Sequence, residues 1–149
     1  MDELQVHRAT FHELDELVPL FAGYLAFYER EFDETRTRDF LRARLRASES
    51  VVFLARRGEQ ALGFTQLYPW WSSLSQARAW ILNDLFVHPD ARGAGVARAL
   101  LLAAQEMAAE TGAAELMLQT ARTNASAQRL YESMGWQRDD EFLVYTRSP

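Results

Sequence analysis

The chain has 149 residues, 48% of them hydrophobic and 25% charged, which is typical of one domain with a sizeable core. All 16 basic residues are arginine and the formal net charge is −5, a balance that argues against a nucleic-acid partner. Cysteine is absent, which excludes disulfides and a catalytic thiolate, and the three histidines are too scattered in sequence to predict a metal site.

The sequence predicts neither a membrane span nor a signal segment. No apolar run approaches the ~20 residues that a spanning helix requires. The chain begins Met1-Asp2-Glu3, without the basic residues and apolar stretch of a signal segment. We therefore expect a cytoplasmic protein without a membrane partner. With no linker or repeat along its length, residues 1–149 are expected to form one domain.

The first fifty residues predict one strand and two helices. Leu4–Ala9 alternates between apolar and polar residues, as a short strand does, and Thr10 is a plausible cap for a helix from about Phe11 to Arg30. A second amphipathic helix is predicted from about Thr35 to Ser48. Its inward-facing residues are expected to be Phe40, Leu41 and Leu45.

Three strands with short connections follow. They are predicted at Val51–Arg56, Ala61–Trp71 and Ala77–Val87, separated by turn residues. Connections this short join neighbouring strands in opposite directions, so the segment predicts an antiparallel meander.

The last third of the chain alternates between helix and strand. Helices are predicted at Gly93–Thr111 and Asn124–Met134, and strands at Ala114–Gln119 and Trp136–Thr146. This alternation predicts an α/β fold with a mixed sheet.

The junction between the third strand of the meander and the next helix predicts a phosphate site. Gly93 and Gly95 let the backbone approach an anion closely, and the unpaired amides of the helix's first turn would point at it. The loop lacks the third glycine of the dinucleotide fingerprint, because Arg98 stands there, and the chain has no lysine for a P-loop. A diphosphate-bearing cofactor of another class is therefore the expected ligand.

Two segments together resemble the signatures of the GNAT family of N-acetyltransferases. The loop Arg92–Ala97 reads as Gln/Arg-x-x-Gly-x-Gly/Ala, which resembles the family's coenzyme A loop. The segment Asn124–Trp136 is similar to a second signature, in which Asn, Ala, Tyr and a Gly-aromatic pair recur along a helix. The resemblance implies a mixed, mostly antiparallel sheet with helices on both faces and a splayed central strand pair. It also implies acetyl-CoA as the acetyl donor.

The resemblance further implies where acetyl-CoA binds. The strand that ends at Val87 and the strand near Ala114 would splay apart, and the pantetheine arm would enter the gap and bond to the backbone of Phe86 and Val87. Asn124 would contact the same arm. The pyrophosphate would lie against the loop, whose implied contacts are Arg92, Gly93, Ala94, Gly95, Val96 and Ala97.

The implied reaction is direct transfer of the acetyl group from the thioester to a primary amine. Such an amine is protonated at neutral pH, so a base must take its proton before attack. Asp84, a carboxylate in an apolar strand, is either this base or a residue that ties down a neighbouring loop. Polyamine acetyltransferases of the family show Glu-Asp here, whereas this chain has Asn83-Asp84, which puts polyamine specificity in doubt. Tyr131 corresponds to the family's phenolic general acid, and the alternative is an aromatic residue that packs on the inner face of its helix.

Aromatic and acidic residues predict the acceptor side. Tyr28, Glu31, Tyr68 and Trp70 lie on the first helix and central hairpin, which in the family border the acceptor cleft, and they suit a small cationic amine. The alternative is core packing or a homodimer interface, since several members of the family dimerise. Three functions stay open: a small-molecule amine N-acetyltransferase, a protein lysine or N-terminal acetyltransferase, and a non-catalytic acyl-CoA-binding module.

Overall fold

The structure is a computed structural model that describes residues 2–149. Its contacts divide the chain into an N-terminal unit, which ends at Leu118, and a C-terminal unit, Gln119–Pro149. The N-terminal unit contains a five-stranded sheet and three α-helices, and the C-terminal unit contains one α-helix.

The sheet follows the chain order, so each strand pairs with the one before it. The first three pairings are antiparallel and the last is parallel, which confirms the predicted mixed, mostly antiparallel sheet. The strands are β1 Leu4–Arg8, β2 Val51–Arg57, β3 Gln60–Ser72, β4 Ala77–Val87 and β5 Glu115–Leu118.

The predicted first helix begins as a short 3-10 turn and continues as α1, Leu14–Phe27. Thr10 caps the turn as predicted: its hydroxyl accepts from the His12 amide, while the Glu13 carboxylate accepts from the Thr10 amide. The helix ends before the predicted Arg30 because Glu29 adopts a left-handed backbone with φ of 57°.

The second helix, α2, spans Glu34–Arg46, and the Asp33 carboxylate caps it by accepting from the Arg36 amide at 3.0 Å. Leu41 is buried, as predicted. The inward prediction for Phe40 is wrong: its side chain is 40% exposed and packs beside the Arg44 guanidinium at the rim of the core.

Helices cover both faces of the sheet. One face packs against α1 and α2 through a cluster that includes Leu17, Leu41, Leu54, Phe64 and Phe86. The helix α3, Val96–Glu110, packs against β2, β3 and β4 through buried residues that lie outside this cluster. Because successive residues of a strand point to opposite faces, these two separate sets correspond to the two faces of the sheet.

The C-terminal unit contains α4, Ala125–Ser133. The prediction of a last strand after this helix is wrong. Residues 136–146 form no strand in the structure. The Asp139 carboxylate accepts from the amides of Glu141 and Phe142, and Arg138 bonds to Asp140. These local bonds take up amides that a strand ladder would need, so the acidic run turns the chain.

Candidate active site

The pairing between the parallel strands β4 and β5 ends before β4 does, at the point where the predicted cofactor arm would enter. Their pairing covers only Ala79–Leu82 on β4, with Leu82 opposite Leu118, although β4 continues to Val87. A β-bulge at Asn83 follows at once, since Gln66 pairs with Asp84 and Leu67 with Leu82. Within the N-terminal unit, no strand pairs with this edge of β4 beyond Leu82.

The register of β3 and β4 determines which backbone groups face this free edge. The His88 amide donates to the Leu62 carbonyl at 2.8 Å, so residues an even number of positions before His88 also face β3. The backbone of Phe86 therefore faces β3, and the groups at the free edge belong to Leu85 and Val87. This revises the expectation for Phe86, whose ring instead packs against Gly23 of α1, where a Cβ would lie 2.5 Å from Phe86 Cζ.

The glycine loop has the geometry of an anion cradle. Gly93 and Gly95 both have φ of 80°, and no atom lies within 4 Å of where a Cβ would stand on either residue. Gly95 is the N-cap of α3, with no side-chain cap and no acidic residue in the first turn. The helix N-terminus therefore offers backbone amides and a positive dipole end to a phosphate, which fits the pyrophosphate of a coenzyme A.

Arg92 connects the loop to the end of β4. Its Nε donates to the Val87 carbonyl at 3.1 Å, and its guanidinium lies 5.8 Å from the centre of the Phe86 ring. Arg92 therefore shapes the loop. Because this bond occupies the Val87 carbonyl, the Val87 amide is the backbone group of that residue that stays available at the free edge.

Asp84 lies at the bulge and is 3% exposed. Gln66 Nε2 donates to its Oδ2 at 2.6 Å, and Asn83 Nδ2 donates to its Oδ1 at 2.9 Å. Ser50 Oγ in turn donates to Gln66 Oε1 at 2.8 Å. Among the described residues of the N-terminal unit, no arginine or histidine forms an ion pair with Asp84.

The Asp84 carboxylate affects the pKa values of two tyrosines. Burial, followed by the charge and a hydrogen bond of Asp84, raises the pKa of Tyr24 far above its usual value. Burial and then the charge of Asp84 raise the pKa of Tyr68 to about 12, although Arg44 acts in the opposite direction. Both phenols therefore stay protonated at neutral pH and can donate hydrogen bonds.

The predicted acceptor residues are only partly brought together. Tyr68 lies near Asp84, and Tyr28 reaches the same region through Tyr24, since the two rings are 5.1 Å apart. Trp70 is half-buried, and its Nε1 has no hydrogen-bond partner among residues 2–149. Glu31 is exposed beyond the end of α1, and the structure gives it no contact with these rings.

The other two predicted site residues belong to α4. Asn124 caps this helix by accepting from the Ala127 amide at 3.3 Å, which leaves its Nδ2 outside that bond. The Tyr131 ring is half-buried and lies 6.1 Å from the Trp136 ring. Both aromatic residues come from the signature that carried the resemblance.

Ser50 and Gln66 were not predicted from the sequence as parts of the site, whereas Tyr24 is one of the aromatic residues of the first helix that the resemblance places along the acceptor cleft. Gln66 is fully buried in the middle of β3, at a position where the alternation predicts an apolar side chain. A polar residue at an inward position was the available signal, because buried amides occur where they have hydrogen-bond partners.

Comparison with known proteins identifies the family. The model of the acetyltransferase (GNAT) family matches residues 15–136. The chain belongs to the GNAT family. It is therefore an N-acetyltransferase, and the match covers both the glycine loop and the α4 signature.

Individual relatives agree with this family. The N-acetyltransferase YhfO of Bacillus subtilis is 42% identical over 142 residues, which cover 95% of each chain. The crystal structure of a "probable acetyltransferase" is 45% identical, covers 97% of each chain and superposes with a TM-score of 0.92. The aminoglycoside N-acetyltransferase AAC(6')-Iy, solved with CoA, shares the GNAT fold at 18% identity. Its TM-score is 0.84, with 99% of this chain and 96% of that chain covered.

No described helix is long and apolar enough to cross a membrane. No group of three or more His, Cys, Asp or Glu side chains among residues 2–149 could hold a metal ion.

Proposed function

We propose that this GNAT protein is a cytoplasmic enzyme of one domain that transfers the acetyl group of acetyl-CoA to a primary amine of a small molecule. The observation that carries the proposal is the Asp84 carboxylate, which is buried beside the free edge of β4 and held by neutral donors alone. A buried negative charge without a cationic partner is costly, and an ammonium group would compensate it.

The residues of the glycine loop and of β4 would hold acetyl-CoA. The amides from Gly93 to Ala97 would bind the pyrophosphate, and Leu85 and Val87 would pair with the amide-bearing arm as a neighbouring strand would. Asn124 would donate to the same arm through Nδ2. When bound, acetyl-CoA supplies an acetyl group activated as a thioester.

Asp84 would act as the general base of the transfer and Tyr131 as its general acid. Asp84 takes a proton from the ammonium group, which leaves a neutral amine able to attack the acetyl carbon. The C–N bond forms as the C–S bond breaks, and Tyr131 donates its phenolic proton to the departing thiolate. The second proton of the amine returns through solvent to the Tyr131 phenolate as the amide forms, and Asp84 then releases its proton to solvent, so both groups are restored.

Aromatic side chains would select a compact cationic acceptor. Tyr24, Tyr28 and Tyr68 offer ring faces and hydroxyl groups near the carboxylate, a combination that binds ammonium groups. The named substrate class of the aminoglycoside acetyltransferase neighbour, a small molecule that carries amines, supports this choice.

A transfer assay tests the proposal. Acetyl-CoA is incubated with the protein and a panel of aminoglycosides, diamines, amino acids and lysine peptides, while thiol release and the acetylated products are measured by absorbance and mass spectrometry. We expect thiol release that depends on a small amine and matches the acetylated product mole for mole. Preferential acetylation of the peptides, or acetyl-CoA binding without transfer to any amine, would contradict the proposal.

A further inference from the structure

A buried chain of hydrogen bonds reaches Asp84 from the neighbouring strands. Ser50, just before β2, donates to Gln66 at 2.8 Å, and Gln66 donates to the Asp84 carboxylate at 2.6 Å. All three side chains are buried.

The direction of the chain follows from its chemistry. An ionised carboxylate only accepts hydrogen bonds, so Gln66 must turn its amide nitrogen toward Asp84 and its oxygen toward Ser50. Ser50 then donates its hydroxyl proton to that oxygen. With the amide reversed, the Gln66 oxygen would face the carboxylate and the bond to Asp84 would be lost, whereas the Ser50 hydroxyl could still accept from the amide nitrogen. The carboxylate therefore sets the orientation of the Gln66 amide, and the Ser50 hydroxyl supports that orientation by donating to the Gln66 oxygen.

The groups that face Asp84 from the packed elements are neutral. Tyr24 approaches from α1 and Tyr68 from β3, and both keep their protons at neutral pH. Arg44 of α2 acts on Tyr68 and forms its ion pair with Glu49. A guanidinium on Asp84 would hold the charge so strongly that the carboxylate could not accept a proton. The neutral amide donors hold the Asp84 carboxylate in position without neutralising its negative charge, which can then attract the ammonium group of the substrate.

We propose that Gln66 is a positioning residue for the acetyl transfer, supported by Ser50, and that its hydrogen bond holds the Asp84 carboxylate toward the acceptor amine. This inference rests on the proposed function, in which Asp84 takes the amine proton. It adds two residues that the catalytic assignment does not contain.

Thr65 offers a matched control. Its hydroxyl is also fully buried and also bonds to Asp84, but it donates to the backbone carbonyl, at 2.7 Å, and not to the carboxylate. Thr65→Val therefore removes a buried hydrogen bond to the same residue without changing the surroundings of its charge.

The experiment compares Gln66→Met, Ser50→Ala and Thr65→Val in the full chain. The acid limb of the kcat/KM profile is measured against pH, and the side-chain carbon signal of Asp84 is followed by NMR over the same range. We expect Gln66→Met to move both midpoints up by about one pH unit, because a hydrogen bond to a charged group is lost. Ser50→Ala should move them less in the same direction, Ser50→Thr should restore them, and Thr65→Val should leave them unchanged.

Equal midpoints in the wild type, Gln66→Met and Ser50→Ala would overturn the inference. So would an equal shift in Thr65→Val, since that would assign the effect to general loosening of the strands. The NMR titration needs no turnover, so it decides the role of Gln66 even if no amine of the panel is acetylated, a result that would count against the proposed function alone. If Gln66→Met does not fold, Ser50→Ala carries the same test with a smaller change.

Discussion

Leu82 on β4 and Leu118 on β5 form the last residue pair between these two parallel strands, and β4 then runs five residues further. The bulge at Asn83 lies where this pairing ends, directly before Asp84. One short segment of β4 therefore supplies both the free edge proposed for the cofactor arm and the carboxylate proposed as base. The glycine loop begins within a few residues of its end.

Gly95→Ala should weaken acetyl-CoA binding, whereas Gly112→Ala should not. Both glycines have positive φ, at 80° and 70°, and neither has an atom within 4 Å of an added Cβ. Each substitution should cost about 1–2 kcal/mol of stability for a left-handed alanine. Only Gly95 lies where backbone amides would meet the pyrophosphate, so calorimetric titration should show a several-fold loss there alone. Equal affinities in the two variants would contradict the loop assignment.

Tyr131→Phe should slow acetyl transfer by roughly 10²-fold to 10⁴-fold, because the leaving thiolate loses its proton donor. Acetyl-CoA affinity should stay nearly unchanged, since only a hydroxyl is removed. Tyr145→Phe is the control, because Tyr145 lies in the same unit and is 88% exposed. Single-turnover kinetics measure the chemical step directly, and an unchanged rate in Tyr131→Phe would make this residue structural.

Tyr28→Ala and Glu31→Gln should each raise the KM for the amine by about two-fold to five-fold. Both residues are exposed, so each lost contact with a cation is worth only about 0.5–1 kcal/mol. Steady-state kinetics at saturating acetyl-CoA measure the effect, and Glu59→Gln, at the exposed turn between β2 and β3, is the charge-matched control. The acceptor assignment fails if these variants change only the oligomeric state.

Tyr68→Phe should reduce the loss of stability at alkaline pH. Burial and Asp84 raise the pKa of Tyr68 from 10.0 to about 12, so the unfolded chain releases this proton at lower pH than the folded protein. The free energy of unfolding should therefore fall as the pH rises from about 10 to 12, and the fall should be shallower in Tyr68→Phe. Urea titrations across this range, with Tyr145→Phe as the exposed control, measure it. Parallel curves for the wild type and Tyr68→Phe would contradict the burial of this phenol beside Asp84.

The sequence predicted most elements because their signals are local. Thr10 and Glu13 form the capping box at the start of the first helix, and Gly95 begins α3 through a left-handed residue. The prediction of a last strand failed because acidic residues near an apolar run fit either a strand end or a turn. The sequence did not show that the Asp139 carboxylate would accept from the amides of Glu141 and Phe142 and so form a turn.

The site was predicted less completely because it depends on register. Alternation alone does not reveal the bulge at Asn83, and without it the partners of Asp84 cannot be identified. The same register moves the expected backbone contact from Phe86 to Leu85 and Val87. Tyr24 and Gln66 come from separate elements whose approach to Asp84 is a property of the packed fold.

The most direct test of the account is the kcat/KM of Asp84→Asn with the best small amine of the panel, measured across pH beside the wild type and Thr65→Val. Loss of the base should lower kcat/KM by roughly 10²-fold to 10⁴-fold and remove the acid limb of the profile. Acetyl-CoA affinity should stay unchanged, because the glycine loop is intact, and Thr65→Val should keep the wild-type profile. A kcat/KM and a pH profile in Asp84→Asn equal to those of the wild type would contradict the claim that this buried carboxylate takes the amine proton.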